Sequence, residues 1–318
     1  PTRRSSDLEM QFGLDVLAER GEIEPGSPEA EAFVVASLKA VVMHEVGHTL
    51  GLRHNFRAST VYPLSKISDP VFSHANGIGG SVMDYSPINI AVKGEAQGAY
   101  FDPTIGPYDY WAIEYGYKPL PDDKPQAQAA LRTIAQRSAD PAQADALAFG
   151  TDEDSMVGLD PQSLVFDLGR DPVAFARTRI AIVRDLFERQ AKRELKPEDD
   201  PTLLRRSVSY GLRDLARTSQ ILLHQIGGVV TRRDAPGSGR DLLAPLPAMQ
   251  QRAALDMLMN EFMSPNALSL SPALQRPITK AVGEAKGKIK DADTLKAQLG
   301  LIGKQCGGCH EIYRVKNG

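Results

Sequence analysis

Residues 41–56 read VVMHEVGHTLGLRHNF, and this stretch decides how the rest of the chain is interpreted. His44 and His48 are four residues apart, so on an α-helix they project from the same face, one turn above the other. Two imidazoles in that arrangement can bind one metal ion together, and Glu45 lies beside them in the chain. The stretch therefore predicts a metal-binding helix that carries a carboxylate next to its ligands.

A third candidate ligand follows this helix. Gly51 can adopt the positive φ that turns the chain sharply, and His54 arrives three residues later. Three neutral imidazoles form the open tripod of a catalytic zinc site, in which a fourth position remains for water. We therefore predict that zinc is bound by His44, His48 and His54. Glu45 is the predicted general base that takes the proton of that water.

The pattern H-E-x-x-H-x-x-G-x-x-H resembles the signature of the metzincin zinc endopeptidases, in which a methionine turn follows downstream. Residues 81–85, SVMDY, are similar to such a turn. The resemblance implies that Met83 forms an apolar floor beneath the three imidazoles and that Tyr85 can reach the metal or the developing oxyanion. Without the resemblance, Met83 is a core methionine and Tyr85 an aromatic residue at the rim.

The overall composition is that of an ordinary globular protein. Of the 318 residues, 42% are hydrophobic and 24% are charged, and the net charge is −3. This charge gives no electrostatic footprint for nucleic acid or for an anionic membrane, and no apolar run reaches the length of a membrane span. The expected partner is a protein or peptide substrate, and the sequence does not indicate an oligomeric state.

The start of the chain carries two further expectations. Residues 1–8, PTRRSSDL, match the translation of a common sequencing adapter, so we predict that they are not native. Metzincin domains normally carry a twisted β-sheet before the zinc helix, and its edge strand holds the extended substrate. This chain is expected to lack that sheet. No signal peptide is recognisable either, because no basic region followed by an apolar one is present.

The bounds of the zinc helix can be predicted from its ends. Ser27 followed by Pro28 has the form of an N-cap and a first helical residue, so the helix is expected from about Pro28 to Leu50. A shorter helix at residues 10–20 is predicted before it. The apolar stripe that the zinc helix is expected to bury consists of Phe33, Val34, Leu38, Val41 and Val42.

Between His54 and Met83 the sequence is rich in Ser, Pro, Gly and Asn, and it predicts a loop. His74 lies in this segment. It could be a fourth ligand, but a surface histidine is the simpler interpretation because the tripod is already complete.

An aromatic segment, YFDPTIGPYDYWAIEYGY, occupies residues 100–117. It is either an aromatic wall beside a peptide cleft or a helix beginning at Pro107 whose buried face carries Tyr110, Trp111 and Tyr115. The segment resembles one that follows the methionine turn in a group of bacterial zinc-dependent metalloproteases.

The second half of the chain is predicted to be helical. After a break rich in Pro and Asp at 119–125, helices are expected at 126–138, 172–194, 201–226 and 247–263. The expected fold is α+β and predominantly α, with a partial metzincin catalytic core at 9–120 and a helical domain at 121–270. The acidic run Thr151–Asp154, with Asp160 beyond it, is either a calcium site or a solvated loop, because EF-hand spacing is absent.

Both cysteines lie near the end of the chain, in CGGCH at 306–310. C-x-x-C-H is the attachment signature of a c-type haem, in which Cys306 and Cys309 bond to the vinyl groups and His310 ligates the iron. A redox C-x-x-C and a zinc knuckle are alternatives, but the first lacks its βαβ context and the second lacks ligands.

The segment at residues 295–316 resembles the last helix of cytochrome c′. We therefore predict a tail at 271–318 that can carry haem c. The tail is either a natural fusion or a join between two genes near residues 275–280.

Two functions are compatible with these motifs. The first is a zinc-dependent endopeptidase of metzincin type, which we expect in the bacterial periplasm or outside the cell, where haem attachment and secreted metallopeptidases are also found. The second is a c-type haem-binding or electron-transfer protein, or a non-catalytic fragment, in which the zinc site is a relic. The sequence does not indicate a substrate preference.

Overall fold

The computed structural model describes residues 2–156, 158–193, 201–233, 239–264, 270–272 and 274–275. Its helices are α1 (Thr2–Glu19), α2 (Pro28–Thr49), α3 (Leu64–Ile67), α4 (Pro70–Asn76), α5 (Pro107–Tyr117), α6 (Lys124–Gln136), α7 (Asp152–Met156), α8 (Pro172–Lys192), α9 (Pro201–Leu223) and α10 (Ala248–Glu261). Two strands, β1 (Val229–Thr231) and β2 (Leu243–Pro245), pair antiparallel, with Val230 opposite Ala244. The predicted α+β, predominantly α fold is confirmed.

The chain divides into two compact units. The first contains residues 1–189 and 207–269, and the second contains residues 190–206 and 270–318. The predicted borders after residues 8, 120 and 270 stay predictions. The predicted haem-binding residues, Cys306, Cys309 and His310, lie outside the described residues.

The ends of α2 agree with its sequence signals. The Ser27 hydroxyl accepts a hydrogen bond from the Ala30 amide at 3.2 Å, a proline occupies the first turn, and two glutamates lie near the positive end of the helix dipole. The helix ends at Thr49, and Gly51 follows with φ of 84°. The predicted start is therefore confirmed, and the predicted end is off by one residue.

Among the described residues, only one side of α2 is covered. Phe33 is buried and contacts Tyr100 and Phe101 edge-on, with ring centroids 5.1 and 5.2 Å away. Leu38 and Val42 are 54% and 59% exposed, so the prediction that both belong to the buried stripe is wrong. Because α2 is apolar on opposite sides, its periodicity did not identify the side that faces the core. The exposed side also carries Val35, Val46 and Leu50.

A hydrophobic core in the first unit supports α2. It joins α1 and α2 to the extended segment at residues 88–90 and to α8 and α9. Within it the buried Arg179 guanidinium pairs with Asp214 at 2.5 to 3.2 Å and donates to the Ile88 carbonyl at 2.8 Å, so α8 is linked to both α9 and the extended segment. The apolar members of this core include Phe12, Val16, Leu17, Ile88, Ile90, Ile180, Val183, Leu186 and Leu215.

The segment between His54 and Met83 is more ordered than predicted. It contains a 3-10 turn at Ala58–Thr60 and the short helices α3 and α4. The Asp69 carboxylate accepts hydrogen bonds from the amides of Val71 and Phe72 at 2.9 and 3.2 Å, which caps α4. The prediction of a loop throughout this segment is wrong, because the Asp69 cap supports a helix among the turn-forming residues around it.

The aromatic segment forms α5, which begins at Pro107 as predicted. Trp111 is half-buried and donates its indole N–H to the Ile134 carbonyl of α6 at 2.7 Å. Tyr110 and Tyr115 are 63% and 47% exposed, so their predicted place in the buried face is wrong. The position of α6 determines which side of α5 is covered, and the spacing of the aromatic residues does not contain that information.

Candidate metal centre

Three histidines meet at one point of the first unit. His44 and His48 project from one side of α2, and the turn at Gly51 brings His54 back towards them. The ring centroids are 4.7 Å apart for His44 and His48, 4.8 Å for His48 and His54, and 5.4 Å for His44 and His54. One nitrogen of each ring lies within 4.8 Å of those of the other two. The three predicted ligands are therefore neighbours in space.

Hydrogen bonds fix the orientation of the two helix histidines. Nδ1 of His44 lies 2.7 Å from the Val82 carbonyl, and Nδ1 of His48 lies 3.0 Å from the Leu52 carbonyl. A carbonyl oxygen can only accept, so in each ring the proton is on Nδ1. The lone pair of each Nε2 is then free to bind a cation.

The surroundings of His44 provide a test of whether this site suits a metal. Its Nε2 is buried and has no hydrogen-bond partner among the residues that the structure describes, and a buried polar atom in that state needs an explanation. Burial lowers the pKa of His44, which favours the neutral imidazole that a metal requires. The donor set of three imidazoles suits zinc. The residues present therefore fit a zinc ion.

The third histidine is held differently. Nδ1 of His54 lies 2.8 Å from Oδ1 of Asp152, and its Nε2 lies 2.8 Å from the Tyr85 hydroxyl. Asp152 belongs to the acidic run for which the sequence suggested a calcium site or a solvated loop. Neither interpretation anticipated a contact with a metal ligand, because Asp152 is 98 residues away from His54 in the chain.

Met83 packs directly against α2. It is fully buried, and a Cβ added to Gly47 would lie only 2.2 Å from its sulfur, so the methionine occupies the space beside the glycine between the two helix ligands. Its carbonyl accepts a hydrogen bond from the Asn55 amide at 3.0 Å, next to His54. The methionine turn therefore contacts both parts of the chain that supply ligands.

Asp109 on α5 holds the methionine turn in place. Its carboxylate lies 2.5 Å from the Ser81 hydroxyl and accepts hydrogen bonds from the amides of Val82 at 3.0 Å and Gly106 at 2.8 Å. Burial raises the pKa of Asp109, and these three donors oppose that effect by stabilising the charged form. Sequence reasoning missed this role, although Asp109 lies within the aromatic segment that resembles metalloproteases.

A cleft runs beside His44. It is lined by α2, by the chain after the methionine turn and by Phe166 from the second half of the chain. Phe166 has φ of 62°, which is unusual for a bulky residue, and its amide donates to the Tyr85 carbonyl at 2.9 Å. Asp102 also lines this cleft, and burial raises its pKa to about 7.

The remaining candidates have simpler positions. Glu45 is exposed on α2 and follows His44 in the chain. His74 is exposed on α4 and is not part of the histidine group. Within the part of the chain that the structure describes, those three histidines form the only group of three or more His, Cys, Asp or Glu side chains that could hold a metal.

His44, His48 and His54 form a group that could hold a metal, and Met83 packs against the helix that carries two of them. This arrangement is typical of zinc metalloproteases. A sequence profile described as Met-zincin matches residues 26–300, and the chain belongs to this family. Membership places it in the zinc metalloprotease superfamily. No solved structure matches the chain.

Two short similarities point to a different kind of protein. The chain is 67% identical over 39 residues to cytochrome c-556 of Rhodopseudomonas palustris and 48% identical over 40 residues to cytochrome c-555 of Bradyrhizobium diazoefficiens. These segments are 12% and 13% of this chain, and they span only about a quarter of the two cytochromes, 26% and 27%. In addition, no described helix has the length and apolar character needed to cross a membrane.

Proposed function

We propose that the protein is a zinc-dependent endopeptidase that hydrolyses peptide bonds with an activated water. The observation that carries the proposal is the convergence of His44, His48 and His54, with every Nδ1 engaged by an acceptor. Because each ring is already oriented, the chain loses little conformational entropy when it binds the ion. Zinc, when bound, supplies a Lewis acid that activates water and polarises a carbonyl group.

Two side chains of the chain complete the proposed chemistry. Glu45 is the general base that takes a proton from the attacking water and then gives it to the leaving amine. The Tyr85 hydroxyl lies 2.8 Å from Nε2 of His54, and it is released when that nitrogen serves as a ligand. It can then donate a hydrogen bond to the oxyanion of the tetrahedral intermediate.

The proposed substrate is a protein or peptide. The cleft beside His44 lies against α2 and the segment that follows the methionine turn, so a substrate side chain placed there would lie next to His44. We further propose that the protein acts in the bacterial periplasm or outside the cell. Membership in the family supports a protein or peptide substrate. The proposed location is supported by the haem-attachment signature, because c-type haem is attached in the bacterial periplasm, and by the resemblance to secreted metallopeptidases.

A second candidate function rests on the two short similarities to cytochromes. In this proposal, Cys306 and Cys309 attach a c-type haem and His310 ligates its iron, so that the chain binds haem or transfers electrons and the zinc site is a relic. A pyridine haemochrome spectrum of protein made in a cell that matures c-type cytochromes tests this directly. A spectrum without a haem c band would refute it.

The peptidase proposal is tested by zinc analysis and peptide cleavage on the purified chain. We expect one zinc per chain, cleavage of an unfolded protein such as casein, loss of cleavage with a chelator and recovery when zinc is restored. If the zinc-loaded chain cleaves neither casein nor a random peptide library, the proposal is wrong.

A further inference from the structure

We propose that Asp152 is a positioning residue for the metal ligand His54, and that residues 148–152, here called the brace, secure the part of the metal site that lies outside α2. The inference deepens the proposed function and rests on its zinc site. The expected effect of Asp152 is on the affinity for zinc. Any effect on catalysis would follow from the change in zinc binding.

Both oxygens of the Asp152 carboxylate have partners. Oδ1 lies 2.8 Å from Nδ1 of His54, and Oδ2 accepts from the Thr151 hydroxyl at 3.2 Å and lies 3.7 Å from the Arg53 guanidinium. The carboxylate is therefore fixed from two sides, and the plane of the His54 ring is fixed with it.

The main chain of the brace is bonded to the same turn of the metal site. The Phe56 amide donates to the Gly150 carbonyl at 2.7 Å, and the Asn55 side-chain amide donates to the Ala148 carbonyl at 3.0 Å. In the opposite direction, the Gly150 amide donates to Oδ1 of Asn55 at 3.1 Å. The residues directly after His54 are thus linked to the brace by three hydrogen bonds.

His54 needs this support more than the other two ligands do. His44 and His48 belong to a regular helix, whose backbone already limits their positions, whereas His54 follows a glycine turn. In addition, His44 and His48 bond to neutral carbonyls, and only His54 bonds to a carboxylate. A carboxylate makes the imidazole more electron-donating and adds negative charge close to a divalent cation.

The chain offers a matched control in Glu153, the neighbour of Asp152 on α7. Glu153 is exposed and pairs with Arg53 at 2.7 and 2.8 Å. Glu153→Gln removes one negative charge, as Asp152→Asn does, at the next position in the chain. Any difference between the two variants therefore measures the contact with His54 and excludes a general change of charge near the site.

The experiment measures the zinc dissociation constant by competition with a chromophoric chelator, together with the unfolding temperature of the zinc-free proteins. Because Asp152 is half-exposed, we expect Asp152→Ala to weaken zinc binding about tenfold, at the lower end of the range for such carboxylates. Asp152→Asn keeps an acceptor oxygen and should weaken binding about threefold, and Glu153→Gln should bind like the native chain. The zinc-free unfolding temperatures should agree within a few degrees.

A zinc affinity of Asp152→Ala within twofold of the native value would overturn the inference, and so would an equal loss in Glu153→Gln and Asp152→Asn. If Asp152→Ala does not fold, Asp152→Asn decides, and native affinity in that variant would overturn the inference. Native protein that binds zinc but cleaves no peptide refutes the proposed function and leaves this inference open to the same comparison. Native protein that binds no zinc overturns both.

Discussion

Two regions meet at the metal centre, and they are built in different ways. α2 carries His44 and His48 on a regular helix, and their Nδ1 atoms bond to carbonyls of the main chain. The brace reaches His54 from 98 residues further along the chain and holds it through the carboxylate of Asp152. The helix therefore fixes two of the proposed ligands by local geometry, whereas the position of the third depends on tertiary structure. Variants of the two regions should therefore fail in different ways.

The largest expected effect belongs to the helix. Glu45→Gln should lower kcat about 10²- to 10⁴-fold, because general-base catalysis contributes that much, while zinc stays bound at one per chain. The measurement is kcat on a fluorogenic peptide together with zinc analysis of the same sample. Undiminished kcat in this variant would show that Glu45 is not the base. Loss of zinc would mean that the substitution had damaged the ligand set. It would contradict the expectation that Glu45 acts in catalysis and is not needed for zinc binding.

The second largest expected effect belongs to Asp109 of α5, which holds the methionine turn from outside α2. Asp109→Ala leaves the buried Ser81 hydroxyl and the amides of Val82 and Gly106 without their acceptor. We expect the free energy of unfolding to fall by about 3 kcal/mol, because each unsatisfied buried donor costs about 1–3 kcal/mol. Urea unfolding of the zinc-free protein measures this. A loss below about 0.5 kcal/mol would show that Asp109 does not hold the methionine turn.

A third prediction concerns how the free energy of unfolding depends on the protonation of Asp102, which lines the cleft beside His44. Burial raises the pKa of Asp102 from 3.8 to about 7, so between these values the folded chain keeps a proton that the unfolded chain has lost. The contribution of Asp102 to the free energy of unfolding therefore falls as pH rises, by up to about 1.4 kcal/mol per pH unit, and is constant above about pH 7.

Asp102→Asn is neutral at every pH and keeps an oxygen for the Ile78 amide, which donates to Oδ1 of Asp102 at 2.9 Å. Relative to the native chain, this variant should gain stability steadily from pH 5 to pH 7 and no further above that. The measurement is urea unfolding of both proteins at four pH values. A stability difference that does not change with pH would contradict the raised pKa of Asp102.

The smallest expected effect lies in the turn between α2 and His54. Gly51 has φ of 84° and no atom within 4 Å of an added Cβ, so Gly51→Ala introduces backbone strain without a steric clash. We expect a loss of about 1 kcal/mol in the free energy of unfolding. Gly47→Ala is the contrasting variant, because its Cβ would meet the sulfur of Met83 at 2.2 Å. If Gly51→Ala were the more damaging of the two, strain and not packing would dominate at this site.

The same contrast explains how much could be predicted from the sequence. The ligand positions, the cap at Ser27 and the turn at Gly51 depend on residues a few positions apart, and the structure places them as the spacing predicts. The exposure of Leu38 and Val42 depends on which other helices cover α2, and periodicity carries no such information. The cap at Asp69 is a local signal, but the turn-forming residues around it are equally typical of a loop.

The two supporting carboxylates were not predictable for a related reason. Asp109 and Asp152 each lie in a segment with a plausible local interpretation, an aromatic helix and an acidic run. The partners that give them these roles are 27 or more residues away, at Val82 for Asp109 and at His54 for Asp152. Only tertiary structure brings each carboxylate to its partner, so a reading of local patterns cannot assign either role.

Zinc X-ray absorption spectroscopy on the purified protein can show whether three imidazoles of this chain bind one zinc ion. We expect one zinc per chain with nitrogen ligands at about 2.0–2.1 Å, a scattering pattern of three imidazoles and no sulfur ligand. His54→Ala should reduce the imidazole count to two or abolish binding. A spectrum dominated by sulfur at about 2.3 Å, or an unchanged imidazole count in His54→Ala, would contradict this expectation.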